Sequence, residues 1–198
     1  MEDKWIVVDG LLGPGSWWAG VFDGHGGGPC CRPTAFLCGR GSTAHQCALT
    51  RGCTLLGSEA SAILHVELHK GVASLLAPTS LDDAAVRQGL SASFLATDAA
   101  LLKVEKKAGS TATTVLKVGQ RLYCANVGDS RTVLCRGVRG TQNAWAQPVT
   151  AHPMSDDQKP SRADEKARIK ERGGIVQKGR LMVRPAANHE LLCAVHMS

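Results

Sequence analysis

The feature that most constrains the fold is a short apolar run that ends abruptly in glycines and two titratable residues. Trp17 to Phe22 is followed directly by Asp23-Gly24-His25-Gly26-Gly27. This pattern is typical of a buried strand that delivers a carboxylate and an imidazole to the rim of a sheet. The glycines let backbone groups approach a ligand where a Cβ would obstruct them. Asp23 can serve as a hard oxygen ligand for a divalent cation, with His25 beside it as a proton donor.

The composition indicates a single globular domain. The 198 residues are 43% hydrophobic, which is enough for one sizeable core. The net charge of +6 comes from basic residues mixed with acids and without interleaved aromatics, so no nucleic-acid partner is expected. The sequence shows no signal-peptide pattern and no apolar stretch long enough to span a bilayer. We therefore expect a soluble protein of the cytoplasm or nucleus, without a membrane partner.

The first half of the chain predicts two strands and two long helices. Lys4–Val8 and Trp17–Phe22 have strand character, whereas the window Gly28–Gly57 shows no sustained period. From Ser58 a helix runs to Pro78, and its apolar face consists of Leu64, Leu68, Val72 and Leu75.

A second helix follows, with Ser80 as N-cap, Asp83 as a capping-box residue and Gly109 as its end. Its predicted buried stripe consists of Val86, Leu90, Phe94, Leu101 and Val104. Two successive helices with one apolar stripe each predict a helical layer packed on a sheet.

The second half predicts a strand meander. Ala112–Val118 and Arg121–Val127 are separated by the short turn Gly119-Gln120, and Arg131–Cys135 follows the corner Gly128-Asp129-Ser130.

The region beyond the meander predicts a connector, a short helix and two short strands. The connector His152–Ser161 precedes a charged helix over Asp164–Arg172, which Gly173-Gly174 ends. The last predicted strands are Ile175-Val176 and Leu181-Val183.

Five motifs, taken in order, resemble one protein family. They are Met1-Glu2-Asp3, Phe22-Asp23-Gly24-His25-Gly26-Gly27, Gly109-Ser110-Thr111-Ala112, Ala125-Asn126-Val127-Gly128-Asp129-Ser130-Arg131, and Lys159-Pro160 followed by Glu165, Arg168, Ile169 and Gly173-Gly174. This set resembles the metal-dependent serine/threonine protein phosphatases of type 2C, the PPM family. The resemblance implies hydrolysis of phosphoserine and phosphothreonine in proteins. It also implies an α+β fold of four layers (αββα), two antiparallel sheets packed face to face between helices, which would be incomplete in this chain.

The resemblance implies a site for two metal ions. Asp23 matches the carboxylate that bridges two Mn²⁺ or Mg²⁺ ions, and Gly24 matches the position whose backbone carbonyl joins their ligands. Glu2 matches a further metal carboxylate, and Asp129 matches an acid at an additional, weaker metal position. Two such ions lower the pKa of a bridging water that attacks phosphorus. Oxygen-rich ligands suit these ions and not zinc.

His25 matches the general acid that protonates the departing seryl or threonyl oxygen, and Asp3 matches a neighbour of the metal ligands near that histidine. Other interpretations of the same residues stay open. Glu2 and Asp3 could be a solvated terminus, and the corner at Asp129 could be a tight turn whose carboxylate caps local amides. Ser110-Thr111 is interpreted as packing and loop hydrogen bonding and not as a nucleophile.

Two competing sites do not fit the sequence. His25-Gly26-Gly27-Gly28 is similar to an esterase oxyanion loop, but the chain contains no Gly-x-Ser-x-Gly elbow. The window from Cys30 to Cys53 contains five cysteines and His45 but no Cys-x-x-Cys pair, so no structural zinc site is expected.

Three departures from the family pattern shape the expected domain. The arginine that grips the substrate phosphate has no counterpart before Met1. Residues 28–57 interrupt the run from the glycines into the helix and are predicted to be a disordered insert or translated non-coding sequence. The later Asp-Gly and Asp-Asn motifs with the remaining metal aspartates do not occur. We expect a partial phosphatase domain over residues 1–183 and an unpatterned tail over 184–198.

Two functional hypotheses follow. The chain is either a monomeric phosphatase that acts on phosphorylated proteins or a catalytically inactive family member that only binds a phosphoprotein or a regulatory partner. The ligand count favours low or no turnover for this polypeptide.

Overall fold

The computed structural model describes residues 3–26, 57–77, 81–104, 108–136, 150–182 and 196–197. The predicted insert at 28–57 lies outside these residues except for Gly57, and so does the tail at 184–198 except for two residues. None of the helices within the described ranges is long and apolar enough to cross a membrane.

Within the described residues, three strands are followed by two helices, five strands, a third helix and three more strands. In chain order they are β1 (Lys4–Asp9), β2 (Trp17–Phe22), β3 (Gly24–Gly26), α1 (Gly57–Leu76), α2 (Asp83–Val104), β4 (Ala108–Ser110), β5 (Ala112–Val118), β6 (Arg121–Val127), β7 (Val133–Arg136), β8 (Thr150–Pro153), α3 (Ala163–Glu171), β9 (Ile175–Gln177), β10 (Arg180–Met182) and β11 (His196–Met197).

An antiparallel sheet of five strands, in the order β1-β2-β5-β6-β11, forms the centre of the fold. Three two-stranded ribbons, β3-β4, β7-β8 and β9-β10, extend from it. The strand β11 lies in the tail for which no pattern was predicted, and it pairs with β6 at one edge of the sheet.

One face of the sheet forms the core together with α1 and α2. Trp18, Leu116 and Tyr123 face one another across β2, β5 and β6 and are almost completely buried. The helices contribute Leu64, Leu68, Val72, Leu76, Val86, Leu90 and Phe94 to the same cluster. A Cβ at Gly89 would lie 2.3 Å from Leu76 Cδ2, so glycine at this position lets the two helices approach closely.

The opposite face of the sheet is open near β1 and β2. Trp5 is 73% exposed, Val7 61% and Val21 46%. Trp5 pairs with Val21 in the register of the two strands, so these side chains form one apolar patch. The five-stranded sheet and the helical pair α1 and α2 correspond to two of the four expected layers, in agreement with an α+β sandwich that is incomplete.

Four details of the predicted helices are wrong. Leu75 is 41% exposed, whereas Leu76 is fully buried because it packs against α2 at Gly89. Val104, the last residue of α2, is 45% exposed. Gly109 lies in β4, beyond the end of α2. The side chain of Asp82 accepts a hydrogen bond from the N–H of Ala85 at 2.9 Å and so caps α2, whereas the predicted cap Ser80 lies outside the described residues.

Two tryptophans on opposite faces of the sheet allow a matched test of this packing. Trp18 is 0% exposed, so Trp18→Ala should lower the free energy of unfolding by about 3–5 kcal/mol. Trp5→Ala removes the same atoms from the open face and should cost no more than about 0.5 kcal/mol. Urea unfolding followed by circular dichroism measures both changes. Equal losses in the two variants would contradict the assignment of the faces.

Candidate functional site

The site is built where β2 continues into β3 and β4 continues into β5. Val21 pairs with Thr113 and Gly24 with Ser110, which places Asp23 opposite Thr111. The N–H of Asp23 donates to Thr111 Oγ1 at 3.1 Å, and the N–H of Thr111 donates to the carbonyl of Asp23 at 2.9 Å. A side-chain hydroxyl therefore takes the place of a backbone acceptor at this junction and holds the backbone of Asp23.

His25 lies on the short strand β3, directly opposite Gly109 of β4. A Cβ at Gly109 would lie 3.1 Å from His25 Nε2, which is tighter than an ordinary van der Waals contact. Glycine at position 109 thus leaves room for the imidazole. The imidazole is exposed and lines a cavity of about 310 Å³.

The turn between β6 and β7 carries Asp129 and is linked to the same junction. Ser130 Oγ and Thr111 Oγ1 share a hydrogen bond of 2.6 Å. The φ angle of Gly128 is +96°, and a Cβ there would lie 2.8 Å from Thr111 Cγ2. Only glycine fits this combination of backbone conformation and close approach. Thr111 therefore contacts both the residue that follows β2 and the turn that follows β6, which confirms its interpretation as a loop hydrogen-bonding residue.

The carboxylate of Asp23 lies in the field of its neighbours. Partial desolvation of this carboxylate, although the residue is exposed overall, raises its pKa above the ordinary 3.8, and Asp3 raises it further by its charge and by a hydrogen bond. The charge of Asp129 acts in the same direction, whereas that of His25 lowers the pKa. Like charges gathered at one place raise the pKa of a carboxyl in this way when no cation compensates them.

The structure brings together five of the six predicted site residues. Asp3, His25 and Asp129 lie within electrostatic reach of Asp23, and Gly24 is buried next to Asp23 in β3. Glu2 lies outside the described residues.

The fit of these residues to a divalent cation is partial. The described ranges contain no group of three or more His, Cys, Asp or Glu side chains arranged to hold a metal ion. Asp3 nevertheless hydrogen-bonds Asp23 and raises its pKa, an effect that a cation would offset, and oxygen donors are those that Mg²⁺ and Mn²⁺ prefer. The chemistry of this pair fits a hard cation as part of a larger ligand set.

The cavity beside His25 has mixed walls. Asp129, Asp98 and Arg168 line it together with apolar side chains from α2, α3 and β10. Desolvation raises the pKa of Asp98, which is half-buried on α2. Arg168 donates to Glu165 one turn earlier on α3 at 3.1 Å through Nε.

Sequence reasoning missed the contacts that the segment from 154 to 162 makes with the Asp129 turn. The guanidinium of Arg131 donates to both carboxylate oxygens of Asp157 at 2.8 and 2.9 Å. Gln158 contacts the backbone of Gly128. The motif Lys159-Pro160 marked this segment as part of the resemblance, but the contacts depend on tertiary structure.

The raised pKa of Asp23 predicts a cost to stability at neutral pH when no divalent cation is bound. The folded state holds this proton more tightly than the unfolded chain does, so stability falls as pH rises through the raised pKa. Asp23→Asn should therefore raise the free energy of unfolding in EDTA at neutral pH. The gain should disappear as the pH falls towards the ordinary value of 3.8.

A matched control for this test is Asp9→Asn. Asp9 is exposed at the end of β1, and its Oδ1 accepts the N–H of Gly10 at 3.0 Å, a bond that asparagine retains. Denaturant unfolding across this pH range should show no comparable gain for this variant. An Asp23→Asn protein that is no more stable than the wild type at neutral pH would contradict the electrostatic account.

Solved structures with a similar fold include a phosphatase and a sex determining protein. A serine-threonine phosphatase 2C from Toxoplasma gondii matches 88% of this chain and 51% of its own with a TM-score of 0.58 at 19% identity. A C. elegans sex determining protein matches the whole of this chain and 44% of its own with a TM-score of 0.63 at 18% identity. At these identities the likeness establishes the fold.

Sequence relatives and a family model identify the protein family. A probable protein phosphatase 2C 59 of Oryza sativa subsp. japonica is 35% identical over 181 residues, which cover 89% of this chain and 42% of the relative. Protein phosphatase 2C homolog 3 of Schizosaccharomyces pombe is 48% identical over 96 residues, 46% of this chain and 20% of the relative. The chain thus spans less than half the length of either relative. The family model described as protein phosphatase 2C matches residues 43–184. This chain belongs to the protein phosphatase 2C family.

Proposed function

We propose that this chain hydrolyses phosphoserine and phosphothreonine in proteins with the help of two Mn²⁺ or Mg²⁺ ions. Membership of the phosphatase 2C family supports the reaction class. The observation that carries the proposal is the convergence of Asp3, Asp23, His25 and Asp129 at one strand junction beside a cavity. The ions, when bound, supply a water of lowered pKa as nucleophile and offset the charge of the phosphoryl group.

Each predicted site residue has a role in this proposal. Asp23 would hold the ions through its carboxylate, Gly24 would contribute its backbone carbonyl, and Glu2 would contribute a further carboxylate. Asp129 belongs to an additional, weaker metal position. Together these residues would hold the positively charged ions where the phosphate group must bind.

His25 donates the proton that the departing seryl or threonyl oxygen needs. Its exposed imidazole lines the cavity, so a bound substrate can reach it, and Gly109 keeps the space around Nε2 open. Asp3 lies beside Asp23, hydrogen-bonds its carboxylate and adds a second negative charge next to it. A general acid in this position lets the alkoxide leave as a neutral alcohol.

A second function remains as a candidate because the described ranges contain no three-residue metal group. In that case the chain binds phosphoprotein or a regulatory partner without turnover. The same cavity and charges would then serve recognition alone, and the two candidates differ in whether phosphate is released.

Phosphate release from a phosphoserine and a phosphothreonine peptide tests the proposal. We expect slow release by the wild-type chain with Mn²⁺, because the ligand set within the described residues is partial, and no release with EDTA. Asp23→Asn should abolish release, because the carboxylate proposed to hold the ions is lost. His25→Gln should slow it by about 10²-fold or more through loss of the general acid. Because His25 is exposed, the unfolding free energy of His25→Gln should stay within about 0.5 kcal/mol of wild type.

The control for charge is again Asp9→Asn, which should retain full release. Release that persists in EDTA or in Asp23→Asn would contradict the proposed function. Phosphopeptide binding, measured by fluorescence anisotropy, without any release would instead support the binding function.

A further inference from the structure

The backbone of Gly128 is bound on both of its polar groups by one residue from a distant segment. The N–H of Gly128 donates to Gln158 Oε1 at 2.9 Å, and the N–H of Gln158 donates to the carbonyl of Gly128 at 3.0 Å. The amide of Asn126 adds a second donor to this carbonyl at 3.1 Å. The carbonyl of Gly128 belongs to the peptide unit that leads into Asp129. These contacts therefore fix the orientation of the peptide that presents the Asp129 carboxylate, and we call them the Gln158 clasp.

The other side of the turn rests against Thr111. A Cβ at Gly128 would lie 2.8 Å from Thr111 Cγ2, and Ser130 shares a hydrogen bond with Thr111 Oγ1. The turn is thus held between Gln158 on one side and the residue that binds Asp23 on the other. Loss of either support would let the Asp129 carboxylate move relative to Asp23.

The segment that carries Gln158 is itself anchored next to the turn. Asp157 binds the guanidinium of Arg131 through both oxygens, and its side chain is only 14% exposed. Thr132 donates its N–H to Ser155 Oγ at 2.9 Å. The bidentate pair of Arg131 and Asp157 combines geometric specificity with strength. The anchor residues Asp157 and Ser155 place Gln158 at a fixed distance from Gly128.

We propose that Gln158 is a positioning residue that sets the Asp129 carboxylate beside Asp23, so that cation affinity depends on a side chain that does not bind the cation. The part concerning the cation rests on the proposed function. Residues that do not bind a metal ion but orient the residues that do commonly contribute strongly to metal affinity. Through the Gln158 clasp, Gln158 is such a residue for Asp129.

Amide hydrogen exchange in the metal-free protein tests the clasp directly. Gln158→Ala removes the acceptor of the Gly128 N–H, so this amide should exchange about fivefold faster, as expected for the loss of one hydrogen bond. Gln158→Glu retains an oxygen acceptor and should restore the exchange to within about twofold of wild type. Gln120→Ala, the same substitution in the exposed turn between β5 and β6, should leave Gly128 unchanged. Unchanged exchange in Gln158→Ala would overturn the proposal.

Mn²⁺ binding by calorimetry tests the consequence in a double-mutant cycle with Asp129→Asn. Gln158→Ala should weaken Mn²⁺ binding by about tenfold in the wild-type background and add no further loss in Asp129→Asn. A loss of equal size in both backgrounds would indicate a general structural effect and overturn the positioning role. Failure of the wild-type chain to bind Mn²⁺ would overturn the metal-dependent function and the part of this proposal that concerns the cation. Exchange at Gly128 would still decide whether Gln158 holds the turn.

Discussion

The pair of hydrogen bonds between Asp23 and Thr111 joins residues that are 88 positions apart in the sequence. It lies where strand pairing passes from the main sheet to the β3-β4 ribbon, and the register is the same on both sides of the junction. The hydroxyl of Thr111 also reaches Ser130. One side chain therefore connects the end of β2, the start of β5 and the turn after β6. The positions of Asp23, His25 and Asp129 all depend on this connection.

The two faces of the sheet show how the same strands serve core and surface. Alternate residues of β2 point to opposite sides, so Trp18 lies in the helix-covered core whereas Val21 belongs to the open patch with Trp5. The core on the covered face holds β2 rigidly up to Phe22. Asp23 and His25 therefore leave the main sheet at a fixed point. Site residues at the rim of a sheet need such a fixed starting point to keep their positions.

Repulsion between the carboxylates of the site lowers the stability of the folded state. Hydrogen bonds to the backbone of Asp23 and Gly128 oppose this effect locally. Partial desolvation, Asp3 and Asp129 raise the pKa of Asp23, so the ionised group is less favourable in the folded state than in solvent. Hydrogen bonds to Thr111 on one side, and to Gln158 on the other, hold the segments that carry the carboxylates in place despite this repulsion. Such conflicts between charge and stability are typical of functional sites, where a ligand later offsets the repulsion.

Local chemistry in the sequence determined the main elements of this fold. Gly119-Gln120 between two strand-like runs predicted the β5-β6 hairpin with its bounds, and the spacing of Leu64, Leu68 and Val72 predicted the buried face of α1. These features depend on neighbours within a few residues, which a periodic pattern records. The motif Asp23-Gly24-His25 likewise identified half of the candidate site.

Tertiary structure alone decided where the helix stripes end, as the exposed Leu75 and the buried Leu76 show, because the neighbouring helix determines which side is covered. It also decided that Thr111 and Gln158 support Asp23 and Asp129. Each of these contacts joins segments that are distant in the chain, and their hydrogen-bonding groups have no periodic signature. The sequence thus determined which residues could perform the chemistry, and long-range backbone contacts determined how they are held together.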